Sequence, residues 1–195
     1  MSCNLKITGD FALNCETLPI AGIDANIVLI NYDDINRTAT TFDAGNELLV
    51  TNFQLKTGKT GYLLSGVKQS NGKNYAMVPV ENLPNRFLHG ITGKILNPSV
   101  ANKLQLQKLA LGGKYVAVIK QNWKGVDSED AFEILGYHAG LELKEATNNS
   151  TEESNTIVLS IGNIDGYEEP KVPFNLLKTD YETTDVLFTN KFIQA

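Results

Sequence analysis

Short apolar runs, rich in β-branched residues and cut at close intervals by Gly, Asn, Asp and Pro, constrain this chain more than any other feature. Residues 25–32, 47–55, 62–67, 75–80, 86–96, 114–120, 132–137, 141–145 and 156–161 are such runs. Each has strand length, and branched or aromatic side chains fit a pleated surface while turn residues supply the reversals between strands. Thr57-Gly58-Lys59-Thr60-Gly61 and Asn71-Gly72 read as turns, so residues 47–67 are expected to form a hairpin. Pro79 cannot donate to a ladder, which places its run at a sheet edge or a strand end. Gly90 and Gly93 predict bulges or close approach. Run 114–120 is apolar on both faces and reads as a central strand. The polar stretch 147–155 reads as an exposed loop.

One segment breaks the strand pattern. Asn97 can cap a helix, Pro98 suits the first helical position and Gly112-Gly113 provides a stop. The predicted helix, 98–111, is about 21 Å long at 1.5 Å per residue. Val100, Leu104 and Leu111 share its packing side with Ala101 and Lys108, while Asn102, Lys103 and Gln105 point mostly outward. Many strands with one helix between two late strands predict a mainly β fold: a β-sandwich or barrel of two packed sheets with one flanking helix.

The chain of 195 residues is long enough for one core and short for two comfortable domains. A 42% apolar share and only 20% charged residues exclude global disorder. The net charge of −5 argues against a general nucleic-acid binder, which needs a basic patch. Asparagine is abundant, at twenty residues, many beside Gly or Pro in the turns. No run approaches the ~20 apolar residues of a membrane helix. The opening residues lack a basic region followed by an apolar stretch, so the chain is expected to be made in a cytoplasm, with Cys3 and Cys15 as free thiols.

Candidate chemistry is sparse. Gly58-Lys59-Thr60 invites a phosphate-loop reading, but that motif needs a Gly where Phe53 stands and a helix where a β run follows. His89 and His138 lie in different β segments, without the Cys or carboxylate spacing of a metal site. No Gly-x-Ser-x-Gly elbow is present. Asp127-Ser128-Glu129-Asp130 lacks the alternation of a calcium loop and reads as a solvated acidic turn. The pairs Asp33-Asp34, Glu152-Glu153 and Glu168-Glu169 read as surface residues. Trp123, with Tyr115 and Tyr137, offers either a sugar platform or core. The expectation is a protein that is not an enzyme, with no catalytic residues, no metal and no cofactor.

From Asn163 onward two prolines, Pro170 and Pro173, separate short apolar clusters. This divides the chain into a β-rich domain, 1–162, and an extended C-terminal arm, 163–195, packing on the core or on a neighbouring subunit. Phe174, Leu176, Leu177, Val186, Leu187, Phe188, Phe192 and Ile193 are the expected assembly residues, burying apolar area worth about 25 cal/mol per Å². Removing the arm is expected to leave a folded core and weaken assembly.

A set of short motifs carries a family likeness. Ala12-Leu-Asn-Cys-Glu16, Pro19-Ile-Ala-Gly-Ile23 and Val28-Leu-Ile-Asn-Tyr-Asp-Asp-Ile35 open it. Phe87-Leu-His89, Leu106-Gln-Lys-Leu-Ala110, Tyr115-Val-Ala-Val-Ile119 and Phe132-Glu-Ile-Leu-Gly136 with Gly140-Leu141 follow in order. Over residues 12–162 the chain resembles tail-tube-like virion structural proteins of tailed phages infecting gut Bacteroidales, crAss-like phages included. The resemblance implies two packed β-sheets with a flanking helix, oligomerising into a ring that forms or surrounds the tail DNA channel, as tail tube, hub or collar. It implies copies of the same chain as partners, together with other tail or portal-proximal proteins, DNA passing without specific binding, no membrane, and a place in the virion. Loops 36–46 and 68–74 could reach neighbouring subunits. A capsid-decoration or carbohydrate-binding β-sandwich module stands as the alternative.

Overall fold

The computed structural model describes residues 7, 9–11, 18–151 and 155–193. In chain order the elements are β1 (Ile23–Asn31), β2 (Thr41–Phe42), β3 (Leu49–Asn52), β4 (Tyr62–Ser65), β5 (Gly72–Val78), β6 (Arg86–Ile95) and α1 (Val100–Ala110). Then come β7 (Tyr115–Gln121), β8 (Phe132–Leu135), β9 (Glu142–Asn148), β10 (Ile157–Gly162), β11 (Phe174–Leu176) and α2 (Tyr181–Thr189). Seven strands form one sheet in the order β2-β3-β11-β8-β7-β1-β4, and four form the other in the order β5-β6-β10-β9. Every pairing is antiparallel except β11 with β3. The fold is mainly β, two packed sheets with a flanking helix. Both sheets keep open edges, so the architecture is a sandwich and not a closed barrel.

Period-two alternation sorts the side chains into two cores. On β1, Ile27 and Leu29 face the second sheet, and Val28 and Ile30 face away from it. On β7, Ala117 and Ile119 follow the first pair, and Val116 and Val118 the second. The core between the sheets is completed by Ile91, Leu159 and Ile161, with Leu106 and Leu109 of α1 against its margin. The other core lies on the far face of the seven-stranded sheet, among Phe53, Leu55, Phe132, Phe174, Phe188 and Phe192. β7, flanked by β8 and β1, is central, as its two apolar faces predict.

Three expectations are corrected, and the two readings of Gly90 and Gly93 are decided. Residues 47–67 do not form a hairpin: β3 pairs with β2 and β11, while β4 pairs with β1 across the sheet. The helix starts at Val100 because Ser99, not Asn97, is its cap, its hydroxyl accepting from the Asn102 amide at 3.3 Å. Its packing side is also different. Asn102, Leu106 and Leu109 turn inward at one-turn spacing, and Val100, Leu104 and Leu111 are exposed, because only Leu106 and Leu109 reach the core between the sheets. Gly90 and Gly93 mark close approach without a bulge: β6 pairs in unbroken register, and a Cβ on Gly93 would stand 2.6 Å from Leu64 Cδ2.

The third correction concerns residues 163–195. They are not an extended arm but part of the core. β11 enters the middle of the large sheet between β3 and β8, and α2 roofs its far face. The physical reason lies in β1 and β7: both are apolar on two faces, the second sheet covers one, and the C-terminal segment covers the other.

Candidate assembly surfaces

The eight expected assembly residues divide sharply. Phe174, Leu176, Phe188 and Phe192 are buried in their own chain, and Leu177 and Leu187 are half-buried. Lys191 and Phe192 have φ of 55° and 58°, a left-handed turn after α2 that carries the Phe192 ring edge-on to Phe53 at 5.4 Å. Only Val186 and Ile193 of the set are exposed. The first six serve folding before they could serve any partner.

His89 and Glu169, one expected to be packed or at the surface and the other at the surface, belong to a buried polar knot. The His89 amide donates to Asn163 Oδ1 at 2.6 Å, and the Asn163 side-chain amide donates to the Gly140 carbonyl at 2.8 Å. His89 Nδ1 accepts from the Gly136 amide at 3.2 Å, which leaves Nε2 to donate to the Lys171 carbonyl at 3.0 Å. Glu169 takes the amides of His138 and Ala139 on its two oxygens at 2.9 and 2.8 Å. Burial holds His89 down to about 4, and burial likewise pushes the Glu169 carboxyl up, against the amides that favour its ionised form. The turn joining β8 to β9 carries the chain from one sheet to the other, and this knot fixes it. His138 comes close to His89, contrary to their separation in sequence, but both His89 nitrogens are occupied by backbone.

The remaining candidates resolve into structural roles. Gly58, at φ 75°, sits in a turn, and Lys59 pairs with Asp34 at 3.1 Å. Asp127 and Glu129 are exposed, and Asp130 accepts from the Asn175 side chain at 2.8 Å, tying the acidic turn to β11. Tyr115 opens β7 and Trp123 lies two residues beyond its other end, the strand between them spanning roughly 20 Å at ~3.3 Å per residue. Tyr137 is buried against Phe174, with the Arg37 guanidinium packed between its ring and that of Tyr32 at 4.6 and 4.4 Å. The three rings therefore make no common platform. Among the described residues no three His, Cys, Asp or Glu side chains converge on a metal position. Cys3, Cys15 and Glu152-Glu153 lie outside the described residues.

Two surfaces stand out. The first is the β5–β6 hairpin. Asn74, Tyr75, Ala76 and Met77 are all exposed, so both faces of β5 meet solvent, and β5 is an edge strand that stops just before Pro79. Met77 and Leu83 present apolar side chains there at 55% and 60% exposure. The second is a groove of about 830 Å³ between β4 and α1, floored by Leu29, Ile95, Leu106 and Leu109. All four residues of β4 line it, which requires the strand's edge rather than one face to open on the groove. Pro79 marks the edge of β5 in the sequence, but the exposure of its side chains and the groove beside β4 depend on which strands end up unpaired.

Comparison with protein-family models, curated proteins and solved structures finds no match to this chain. No helix among the described residues is long and apolar enough to cross a membrane.

Proposed function

We propose that this chain is a structural protein of a tailed-phage virion, oligomerising into a ring that forms or surrounds the tail DNA channel as tube, hub or collar. The observation that carries the reading is the β5–β6 hairpin: an edge strand exposed on both faces, with Met77 and Leu83 unburied at its outer end. An unprotected edge bearing apolar side chains is a hazard in a monomer and a joint in an assembly. The His89, Asn163 and Glu169 knot serves the fold, which leaves the exposed surfaces as the parts free for a partner. A subunit charge of −5 suits a conduit that DNA traverses without adhering, since like charge repels phosphate. Other tail or portal-proximal proteins would stack on such a ring.

Negative-stain microscopy of the purified chain at high concentration tests the reading. Closed rings or tubes of uniform diameter are the expected result. A strictly monomeric protein, with no assembly on adding other virion components, would overturn it. A tryptophan fluorescence response to glycans would instead favour the binding-module alternative.

A further inference from the structure

A sheet edge is open where main-chain groups point outward and nothing in the chain takes them. Among the described residues the two sheets end in four strands, β2 and β4 in one and β5 and β9 in the other. Two ends are guarded: β2 has only two residues, and β9 carries Glu142, Lys144 and Glu145. The other two are not. β4, Tyr62-Leu-Leu-Ser65, has no charge, and Lys73, the one charge on β5, is held in an ion pair with Glu133 of β8.

The register fixes which groups are open. The Gly66 amide donates to the Ala25 carbonyl at 2.7 Å, so alternate pairs onward, Leu64 with Ile27 and Tyr62 with Leu29, also bond inward to β1. Gly61, Leu63, Ser65 and Val67 then face outward. The Gly61 amide donates to the Lys191 carbonyl and the Val67 amide to Ser70 Oγ, both at 2.8 Å, which leaves Leu63 and Ser65 open. In the other sheet the Asn163 amide donates to the His89 carbonyl at 3.0 Å, so odd-numbered residues of β6 bond to β10 and even-numbered ones to β5. Their partners are Gly72, Asn74, Ala76 and Val78, and Lys73, Tyr75 and Met77 face outward. Tyr62, Leu63, Tyr75 and Met77 also present exposed side chains along these edges.

The two edges complement each other. Open groups recur every second residue on both, so Tyr75 and Met77 match Ser65 and Leu63 of an antiparallel neighbour. Pro79, next in the outward row, has no N–H and ends the ladder. The groove between β4 and α1 has one charged lining residue, Lys108, and the β5–β6 turn, 79–85, has one charge of opposite sign, Glu81. Neither is in an ion pair with a described residue. Lys108 is in the last turn of α1, ahead of Tyr115, which stands opposite Asn31 and so at the Tyr62 end of the groove. Antiparallel pairing carries Glu81 past Tyr62 toward that same end. Within one chain the edges cannot meet: the open edge of β5 faces away from β6, and Leu64 of β4 packs on Gly93 of β6.

We infer that β5 of one copy adds antiparallel to β4 of a second copy, Met77 opposite Leu63, with the hairpin lying along the groove beside α1 and Glu81 meeting Lys108. Main-chain hydrogen bonds supply affinity, and the side chains entering the groove set the register. Hairpin and groove are different surfaces, so the contact is head-to-tail, the kind that closes into rings. This deepens the ring-subunit reading and rests on its use of the hairpin for assembly.

Two full-length variants test the contact. Met77→Lys/Leu83→Lys spoils the hairpin, and Leu63→Asp spoils the groove. All three positions are exposed, so both chains should keep the parent's melting temperature. Each alone is expected to be monomeric by light scattering, and an equimolar mixture to form a heterodimer of about twice 21.4 kDa and stop there, having one intact hairpin and one intact groove. A mixture that stays monomeric, or either variant assembling like the parent, would overturn the contact. Should Leu63→Asp misfold, Lys108→Glu on the exposed face of α1 takes its place, since like charges across an interface oppose it. That variant should lose the high-mass species and regain it when Glu81→Lys is added to the same chain; a double variant that stays monomeric would also overturn the contact. Heterodimers from variants of a parent that closes no rings would keep the contact and remove the ring reading. Rings from either spoiled variant would do the reverse.

Discussion

His89 is a neutral donor–acceptor in the fold, and its protonation would set two N–H groups, its own Nδ1–H and that of Gly136, against each other. Its folded value of about 4 lies below the ordinary 6.5, so between these values the unfolded chain binds the extra proton. Its contribution to stability is therefore fully present above about 6.5 and is lost on acidification toward 4. This group's share of the loss is roughly 3 kcal/mol, since each tenfold change in proton affinity is worth ~1.36 kcal/mol. Glu169, whose value is raised, works in the opposite sense. Chemical denaturation across pH 7 to 4 should show the loss, and His89→Gln should flatten it; an equal slope in the variant would refute the assignment. Neighbouring residues at the C-terminal turn give a second contrast. Phe192→Ala empties a fully buried site and should cost about 3–5 kcal/mol, whereas Ile193→Ala, at a half-exposed position, should stay within about 0.5 kcal/mol. Equal effects in urea melts would return Phe192 to the surface.

At the scale of elements, the large sheet depends on its last strand. Deleting residues 163–195 removes β11 from between β3 and β8 and uncovers Val28, Val116, Val118 and Phe132 on the far face. Several buried aromatic and aliphatic groups at 1.5–3 kcal/mol each exceed a typical stability of about 5–15 kcal/mol. The truncated chain should show no cooperative melting transition by circular dichroism; a sharp transition would restore the separable arm. The strands legible in the sequence, β1 and β3 to β10, are those whose apolar runs are long enough to show a period. β2 and β11 are too short for one, with two and three residues. α2 is nine residues of mixed propensity, Thr-rich and β-branched, and it exists because Asp180 caps it, accepting from Thr183 at 2.7 Å, while Phe188 is buried beneath it. Propensity alone gives no such helix. One signal of it is nevertheless present. Runs 25–32 and 114–120 are apolar on both faces, so two covers are needed, and the strand pattern supplies only one. The expected assembly residues are misplaced for the same reason, since Phe174 and Phe188 are the missing cover.

For the whole molecule, the question is whether exposed apolar surface is incidental or selected for contact. Met77 and Leu83 lie on the β5–β6 hairpin, apart from both cores, and Met77 stands opposite Phe87 in the register. Lysine at these two places removes apolar contact and arms the edge against pairing, as natural edge strands are armed. Since both side chains are more than half exposed, Met77→Lys/Leu83→Lys should leave stability within about 0.5 kcal/mol of the parent. A ring subunit would nonetheless lose its high-mass species, because each weakened contact recurs at every interface around the ring. Sedimentation velocity on matched concentrations separates the cases. A fall in mass with an unchanged melting temperature assigns the hairpin to assembly, and an undiminished oligomer would leave that role to the β4 edge.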